Sequence, residues 1–357
     1  MTANQSIVAA RLGVGQAHPT DNLLTAKGGN EHDRTVDVRA TGLLECARSD
    51  RGREADAMAQ MREVQKTWQT GLIGVGAGCY GYIQTGGLNI SNGGLVVGAD
   101  SCLVIDTLYV KPMALAFQRA IRKVTKQPIG QIVYTHHHAD HTLGSNFFPK
   151  KIPIIAHRHM RERMEETGLD LAHYRRVNPE YAAHLKGLAH RYPTYIYDGA
   201  MTLDLGGIEA ELHHLGHGHS KGDTIVYVPS ARVLYSGDCC FNFVTPATFD
   251  ADIGNWIRTT QRILKNFDFE TVVPGHGPVG DRRAVEEMLG YLKLVRREAK
   301  KRFDHGMTAR RAAKDIPLGT YGDWMKPDRV EQAVMKLFNE FKGARNKVIS
   351  LDAARGG

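Results

Sequence analysis

Apolar and polar residues follow two different patterns along the chain, and the change falls near residue 70. Residues 1–70 mix Gly, Asn, Asp and Arg with little sustained apolar periodicity, which predicts a loosely structured N-terminal extension. Short β-rich runs bounded by Gly and Asn begin at residue 71, and those at 95–97 and 102–106 are typical of antiparallel strands. Apolar residues at helical spacing then predict a helix over 113–126, followed by a buried strand at 131–134.

Strand-like and helical segments continue to alternate as far as residue 280, which predicts one mixed α/β domain over residues 71–280. Further strand-like runs lie at 152–156, 225–228, 233–235 and 271–273, with helical segments near 158–166 and 255–266. Residues 167–200 contain five tyrosines and interrupt this alternation. They form either a helical cap near the functional site or an ordinary surface insertion.

Two apolar stripes at helical spacing predict that residues 281–357 form a C-terminal helical extension. The first stripe comprises Val285, Met288, Leu289, Leu292 and Val295, and the second comprises Val330, Val334, Leu337, Phe338 and Phe341. Core packing explains both stripes more simply than partner binding. Lys and Arg number 18 in this extension against 11 Asp and Glu, so it carries most of the net charge of +8. Acidic residues interleave with the basic ones, and no nucleic-acid partner is expected.

Composition restricts the cellular setting of the protein. Hydrophobic residues make up 42% of the 357 positions and charged residues 24%, which is typical of a globular protein. The five cysteines are an odd number without paired spacing, which argues against a disulfide framework. No apolar stretch approaches the ~20 residues of a membrane span. We therefore predict a cytoplasmic protein without a membrane partner.

The strongest chemical signal is Thr135-His-His-His-Ala-Asp-His141, which follows the predicted strand at 131–134 directly. It supplies His136 and His138 two residues apart, with Asp140 and His141 immediately after. Imidazole nitrogens and carboxylate oxygens are ligands that zinc accepts, so one loop can serve two ions.

Three later segments present the same ligand types from loops or strand ends. They are Leu215-Gly-His-Gly-His-Ser-Lys-Gly-Asp-Thr224, Tyr235-Ser-Gly-Asp238 and Val273-Pro-Gly-His-Gly-Pro278. Each segment alone is a weak signal, because glycine-flanked polar residues are common in solvated loops. Together and in this order, they predict a metal centre.

These motifs resemble those of the metallo-β-lactamase fold superfamily, over roughly residues 71–280. The resemblance implies an αββα sandwich with the site along one edge of two packed sheets. It also implies that Asp106, which closes an early strand, supports the metal loop without binding metal. Of the two histidines in the turn after Leu215, we prefer His219 as a ligand, because His-Ser-Lys-Gly-Asp-Thr matches the family pattern and His217 lies two residues early.

The resemblance further implies a complete set of ligands for two zinc ions, with iron or manganese as the alternative metals. The first ion would be bound by His136, His138 and His219, the second by Asp140, His141 and His276, and Asp238 would bridge both. His137 is expected to point away from the metals by strand alternation. For His213 and His214 we expect a supporting role.

A water ionised between the two zinc ions would then attack an ester, lactone, thioester or amide-like bond of a small-molecule substrate. Asp140 and Asp238 are the candidate catalytic residues, since either can hydrogen-bond that water or receive a proton. Iron-dependent sulfur dioxygenases or other oxidoreductases, and phosphodiesterases or nucleases, are the alternatives within the fold. The segment 309–324 either caps the pocket or pairs subunits, which would make the protein a homodimer.

Overall fold

Two β-sheets form the inner layers of the structure, a computed structural model that describes residues 68–85, 90–345 and 347–349. The predicted N-terminal extension therefore lies almost entirely outside the described residues. The first sheet contains β1 (Gly71–Gly76), β2 (Cys79–Ile83), β3 (Gly93–Val97), β4 (Cys102–Ile105), β5 (Ile129–Val133), β6 (Ile154–His157) and β7 (Tyr195–Tyr197), in this order. Strands β1 to β4 pair antiparallel, and β4 to β7 pair parallel.

The second sheet has five strands: β8 (Ala200–Asp204), β9 (Glu209–His213), β10 (Ile225–Val228), β11 (Val233–Phe241) and β12 (Thr271–His276). Antiparallel pairing joins β8 through β11, whereas β11 and β12 run parallel. Parallel neighbours end at the same edge of a sheet. The C-terminal ends of β11 and β12 therefore lie side by side.

Eight α-helices lie in the described part of the chain. They are α1 (Lys111–Val124), α2 (Ala139–Thr142), α3 (Arg158–Thr167), α4 (Leu171–Val177), α5 (Ile253–Asn266), α6 (Arg282–Asp304), α7 (Ala309–Asp315) and α8 (Val330–Phe341). Helices α1 and α3 cover the outer face of the first sheet, and α5 to α8 cover the second. The four-layer αββα arrangement confirms the predicted fold class.

Side-chain alternation along the buried strands explains why the two sheets face each other. In β4, Leu103 and Ile105 join the cluster between the sheets, whereas Cys102 and Val104 face helices α1 and α3. Successive residues of a strand point to opposite faces, so a strand covered on both faces is apolar throughout. The central strands accordingly read as continuous apolar runs.

The predicted segments agree with the structure, with shifts of a few residues at their ends. Helix α1 begins two residues earlier than predicted, because Pro112 occupies its first turn, where the missing N–H is no loss. Residues 167–200 contain α4, a 3₁₀-helix at Pro179–Leu185 and strand β7. This segment therefore adds the last strand of the first sheet as well as helical structure.

The C-terminal helices share one hydrophobic cluster with β11 and α5. The buried carboxylate of Glu340, in α8, accepts hydrogen bonds from the backbone N–H groups of Ile253 (2.6 Å) and Gly254 (3.1 Å) at the start of α5. Gln332 Oε1 accepts another from the Thr248 N–H at 2.7 Å. Through Glu340, helix α8 thus satisfies two of the N–H groups that α5 leaves free at its N-terminus.

We expect Glu340→Ala to lower the free energy of unfolding by about 2 kcal/mol, because two buried N–H groups would lose a charged acceptor. Urea unfolding of this variant, of its control and of wild type measures the difference in the free energy of unfolding. The matched control is Glu331→Ala in the same helix, whose carboxylate pairs with Arg310 at the surface. That pair should contribute only about 0–1 kcal/mol. Equal losses for the two variants would contradict the assigned role of Glu340.

Candidate metal centre

All seven predicted ligands lie in two adjoining buried groups. One group contains His136, His138, His219 and Asp238, and the other contains Asp140, His141 and His276. Within each group the potential donor atoms are all within 4.8 Å of one another. None of the seven residues is more than 7% exposed.

The Asp238 carboxylate lies between the two groups. Its Oδ2 is 3.3 Å from His219 Nε2 and 3.8 Å from His136 Nε2. Its Oδ1 is 3.2 Å from His141 Nε2 and 3.5 Å from His276 Nε2. One oxygen therefore faces each group, as a bridging carboxylate requires.

Four segments at one edge of the sandwich carry these ligands. Residues 135–141 follow β5 and enter the short helix α2, while His219 lies in the loop between β9 and β10. Asp238 belongs to β11, and His276 is the last residue of β12. A Cβ at Gly275 would collide with Asp238 Oδ1, so only glycine permits this close approach.

Asp106 braces the loop that carries four of the ligands. It accepts hydrogen bonds from the Thr135 N–H (2.8 Å), from Thr135 Oγ1 (2.7 Å) and from His141 Nδ1 (2.7 Å). It belongs to neither candidate group. Its φ of +56° is uncommon outside glycine, and strained backbone of this kind concentrates at functional sites.

Hydrogen bonds at Nδ1 determine which nitrogen of two histidines faces the centre. His141 Nδ1 donates to Asp106, and His276 Nδ1 donates to the Ile90 carbonyl at 3.1 Å. In the neutral ring this leaves a lone pair on Nε2. Within the described residues, Nε2 of His136, His138 and His141 and Oδ1 of Asp238 are buried without a hydrogen-bond partner. Such orphaned atoms are costly unless something binds them, and cations fit this donor set.

The two groups differ in their affinity for protons. Burial and the neighbouring imidazoles hold the pKa of His136 and His138 well below 6.5, and burial lowers that of His219 to about 4. Burial also opposes protonation of His141, but the carboxylates of Asp238, Asp106 and Asp140 outweigh it and raise the pKa of His141 well above 6.5. The pKa of His276 is likewise raised, by Asp238 and Asp140 against burial.

Asp223 supports His219. It was not among the site residues predicted from the sequence, although it belongs to the motif that identifies His219. Its carboxylate accepts hydrogen bonds from the Ser220 N–H, the Ser220 hydroxyl and the Gly218 N–H. Burial raises the pKa of Asp223 to about 7 against these bonds. The turn around His219 is thereby held by its own acidic residue, while Trp256 packs on the ring.

His137 and His217 belong to neither of these two groups, and both contact Asp250. His137 Nε2 lies 3.3 Å from Asp250 Oδ2, and His217 Nε2 is 2.9 Å from the Asp250 carbonyl oxygen. The same carboxylate pairs with Arg163 at 2.8 Å. Strand alternation does not explain the position of His137, because residues 135–137 form a bend.

His157, His159 and His214 form a further cluster that the sequence did not indicate. His157 Nδ1 accepts the His159 N–H as the N-cap of α3, and the His157 ring stacks on His214 at 3.8 Å. His214 Nδ1 donates to the Asp223 carbonyl at 2.8 Å. Because the acceptor nitrogen of His157 is already used, this cluster is a poorer metal site than the other two.

Cys239 and Cys240 follow Asp238 and are both buried. Burial raises the pKa of Cys240 to about 12, and it raises that of Cys239 well above its usual range. The thiolate is the nucleophilic form of cysteine. Both side chains are therefore packing residues at neutral pH.

An αββα sandwich with a buried histidine/aspartate cluster at its edge defines a class of metal-binding proteins. Comparison of the chain with known proteins leads to the same class. Residues 86–276 match the metallo-beta-lactamase superfamily. The chain belongs to this superfamily.

Two curated relatives illustrate the range of the family. The chain is 28% identical over 185 residues to 2,4-dinitroanisole O-demethylase subunit alpha from Nocardioides sp. (strain JS1661), covering 51% of each protein. It is 24% identical over 210 residues to metallo-beta-lactamase type 2 from Bacillus cereus, covering 57% of this chain and 74% of the relative. The chain thus spans about half the length of the demethylase subunit.

Solved structures show the same fold. An inverting sec-alkylsulfatase from Pseudomonas sp. superposes with a TM-score of 0.62 at 18% identity, over 81% of this chain and 52% of that one. A metallo-beta-lactamase from Pontibacter korlensis gives a TM-score of 0.52 at 22% identity, over 63% of this chain and 99% of that one. No helix among the described residues combines the length and apolar character needed to cross a bilayer.

We expect Asp106→Asn to weaken metal binding by about 10–100-fold, because an amide cannot accept all the hydrogen bonds that orient His141 and Thr135. Competition with a chelating dye measures the affinity. Asp198→Asn is the control, since Asp198 is exposed and pairs only with Arg158 among the described residues. Unchanged affinity in Asp106→Asn would contradict the bracing role.

As the pH falls, the group that contains His141 and His276 should lose its metal ion before the group that contains His136, His138 and His219. Metal must displace protons from His141 and His276, whose pKa values are raised, so binding there begins to weaken above pH 6.5 and weakens further as the pH falls below it. Protons compete at His136, His138 and His219 only at much lower pH. Zinc content after dialysis should therefore fall from about two ions per chain at pH 7.5 to about one at pH 5.5.

His305→Gln controls for loose binding at surface imidazoles, because His305 is exposed and distant in sequence from every ligand. Its zinc content should equal that of wild type at both pH values. Loss of both ions together, or of neither, would contradict the difference between the groups.

Proposed function

We propose that the protein is a metal-dependent hydrolase that binds two zinc ions and cleaves an ester, lactone, thioester or amide-like bond of a small molecule. The observation that carries this proposal is the position of Asp238, with one carboxylate oxygen toward each group of ligands. A single metal ion would leave one oxygen and two or more imidazoles without a partner in a buried site. Membership of the superfamily and hydrolytic relatives such as a linear primary-alkylsulfatase support the reaction class.

The ligand assignment follows the two groups. His136, His138 and His219 would bind one ion, and Asp140, His141 and His276 would bind the other, with Asp238 shared between them. When bound, two divalent cations polarise the bond under attack and lower the pKa of a water toward neutrality. The donor set of imidazoles and carboxylates suits zinc, and iron or manganese are the alternatives.

The chain's own residues have three further tasks in this proposal. The carboxylates of Asp140 and Asp238 accept a hydrogen bond from the attacking water and can receive its proton. Asp106 holds the loop rigid, and burial of the site excludes bulk water. Phe249 stacks on the His138 ring at 4.6 Å and so helps to hold it in place.

We expect His138→Ala to lose more than about 100-fold in activity, a larger effect than replacing a residue that only supports a ligand. The protein should remain folded, because each sheet has its own apolar clusters. Zinc content, circular dichroism and turnover are measured together. His305→Ala is the matched control and should behave as wild type, whereas a fully active His138→Ala enzyme would refute the ligand assignment.

Elemental analysis and a substrate panel separate the proposed function from its alternatives. The panel contains a lactone, a thioester, a β-lactam, an alkyl sulfate, an aryl methyl ether and a phosphodiester, of which the fourth and fifth follow the names of relatives. Zinc with hydrolysis of a panel member supports the proposal. Iron with oxygen consumption would replace it by an oxidoreductase, and salt-dependent nucleic-acid binding with phosphodiester cleavage would replace it by a nuclease.

A further inference from the structure

Residues 249–252 precede helix α5 and lie against two loops of the candidate metal centre. The Asp250 carbonyl accepts a hydrogen bond from His217 Nε2 at 2.9 Å. The Asp252 N–H donates to the Gly218 carbonyl at 3.0 Å. The turn that carries the third histidine of the first ligand group is therefore bound to this segment at two points.

The segment also contacts the loop that carries the other two histidines of the first group. The Phe249 ring stacks on the His138 ring, with 4.6 Å between their centroids. Asp250 Oδ2 lies 3.3 Å from Nε2 of His137, the residue between the candidate ligands His136 and His138. Because the same few residues contact both loops, their position helps to determine the distance between the imidazoles of the first group.

A largely buried ion pair fixes Asp250 itself. Its Oδ1 accepts a hydrogen bond from Arg163 Nη2 at 2.8 Å, and its Oδ2 accepts one from Arg163 Nε at 3.4 Å. The Asp250 side chain is 6% exposed and that of Arg163 is 15% exposed. Two-point pairing of a guanidinium with a carboxylate adds geometric specificity to the attraction. Since Arg163 belongs to helix α3, which packs on the first sheet through Met160 and Met164, the pair anchors the segment to a supported helix.

A third cation site is the alternative interpretation of these residues. His137, His138 and Asp250 have potential donor atoms within 4.8 Å of one another. However, the Arg163 guanidinium already supplies positive charge beside the Asp250 carboxylate, and it would repel a further cation there. His138 is in addition required by the first group. These residues therefore support an existing site better than they form a new one.

We propose that Asp250 is a positioning residue for the first metal ion, although it is not a ligand. It holds the loop of His137 and the turn of His217 at the spacing that three imidazoles around one ion require, and Arg163 holds Asp250 in turn. Replacing a residue that orients metal ligands typically changes metal affinity by about 10–100-fold. This inference rests on the ligand assignment of the proposed function and adds a determinant of metal affinity outside the seven ligands.

Variants that isolate each ligand group test the proposal. His276→Ala removes a ligand of the second group, so zinc binding by this variant reports on the first group, and His138→Ala does the reverse. Adding Asp250→Asn should weaken zinc binding by about tenfold or more in the His276→Ala protein and change it by less than about twofold in the His138→Ala protein. Competition with a chelating dye measures these affinities. The control Arg158→Gln removes an exposed ion pair from helix α3 and should change neither.

Arg163→Gln distinguishes positioning from a simple effect of charge. In the His276→Ala protein, loss of this positive charge alone would strengthen zinc binding, because the cation would be repelled less. Loss of positioning would weaken zinc binding, and we expect a several-fold decrease in affinity. Arg163→Lys keeps the charge but not the two-point pairing, so it should also weaken zinc binding.

Tighter zinc binding by Arg163→Gln would overturn the proposal, as would equal losses at the two groups after Asp250→Asn, or no loss at either. If Asp250→Asn does not fold, as judged by circular dichroism, the two Arg163 variants decide in the same way. Failure of the proposed function appears separately. The parent His276→Ala and His138→Ala proteins would then bind no zinc or still two ions, or wild type would show no hydrolysis.

Discussion

The buried carboxylate of Asp238 contacts four imidazoles, and the geometry of the whole candidate centre depends on it. An isolated carboxylate in this position would be strongly disfavoured, because burial removes its hydration. Burial does oppose its ionisation, but the surrounding histidines prevail and hold the pKa of Asp238 well below its usual value. The site is therefore built to keep a negative charge between two groups of nitrogen donors.

Several layers of the structure serve to hold that carboxylate and its neighbours in place. Parallel pairing of β11 with β12 brings the strand ends of Asp238 and His276 together, and Gly275 allows the backbone to pass close to the carboxylate. Asp106 and Asp223 each tie down one ligand loop by accepting three hydrogen bonds or more. Both are carboxylates beside the centre, and neither belongs to its two groups of donors.

A mixed α/β domain and a histidine/aspartate metal centre were predictable from the sequence because those signals are local, whereas the αββα arrangement and the full set of seven ligands were implied by the resemblance to the superfamily. Apolar runs of strand length end directly in polar loops, and parallel strands place such loops at one edge. The contacts of Glu340, Arg329 and Asp223 were not predictable in this way. The hydrogen bonds of Glu340 join residues that are 86 and 87 positions apart in the sequence, and the hydrogen bond from Arg329 to the Thr245 carbonyl joins residues 84 positions apart. No local sequence pattern predicts such contacts. Asp223 stands in a recognisable motif, but its acceptor role depends on the turn that only the structure shows.

The C-terminal extension is better understood as part of the site than as an appendage. It reaches the centre through residues 242–254, whose backbone is held by the side chains of Glu340 and Gln332 and by the backbone of Met325. The same segment carries Phe249 on His138 and Thr245 beside Arg329. In the proposed hydrolase the ligand cluster would supply the reactive centre, and the residues around it would decide which substrate fits. Under the proposed function, the extension would therefore help to select the substrate, because it anchors the segment that lies beside the ligands.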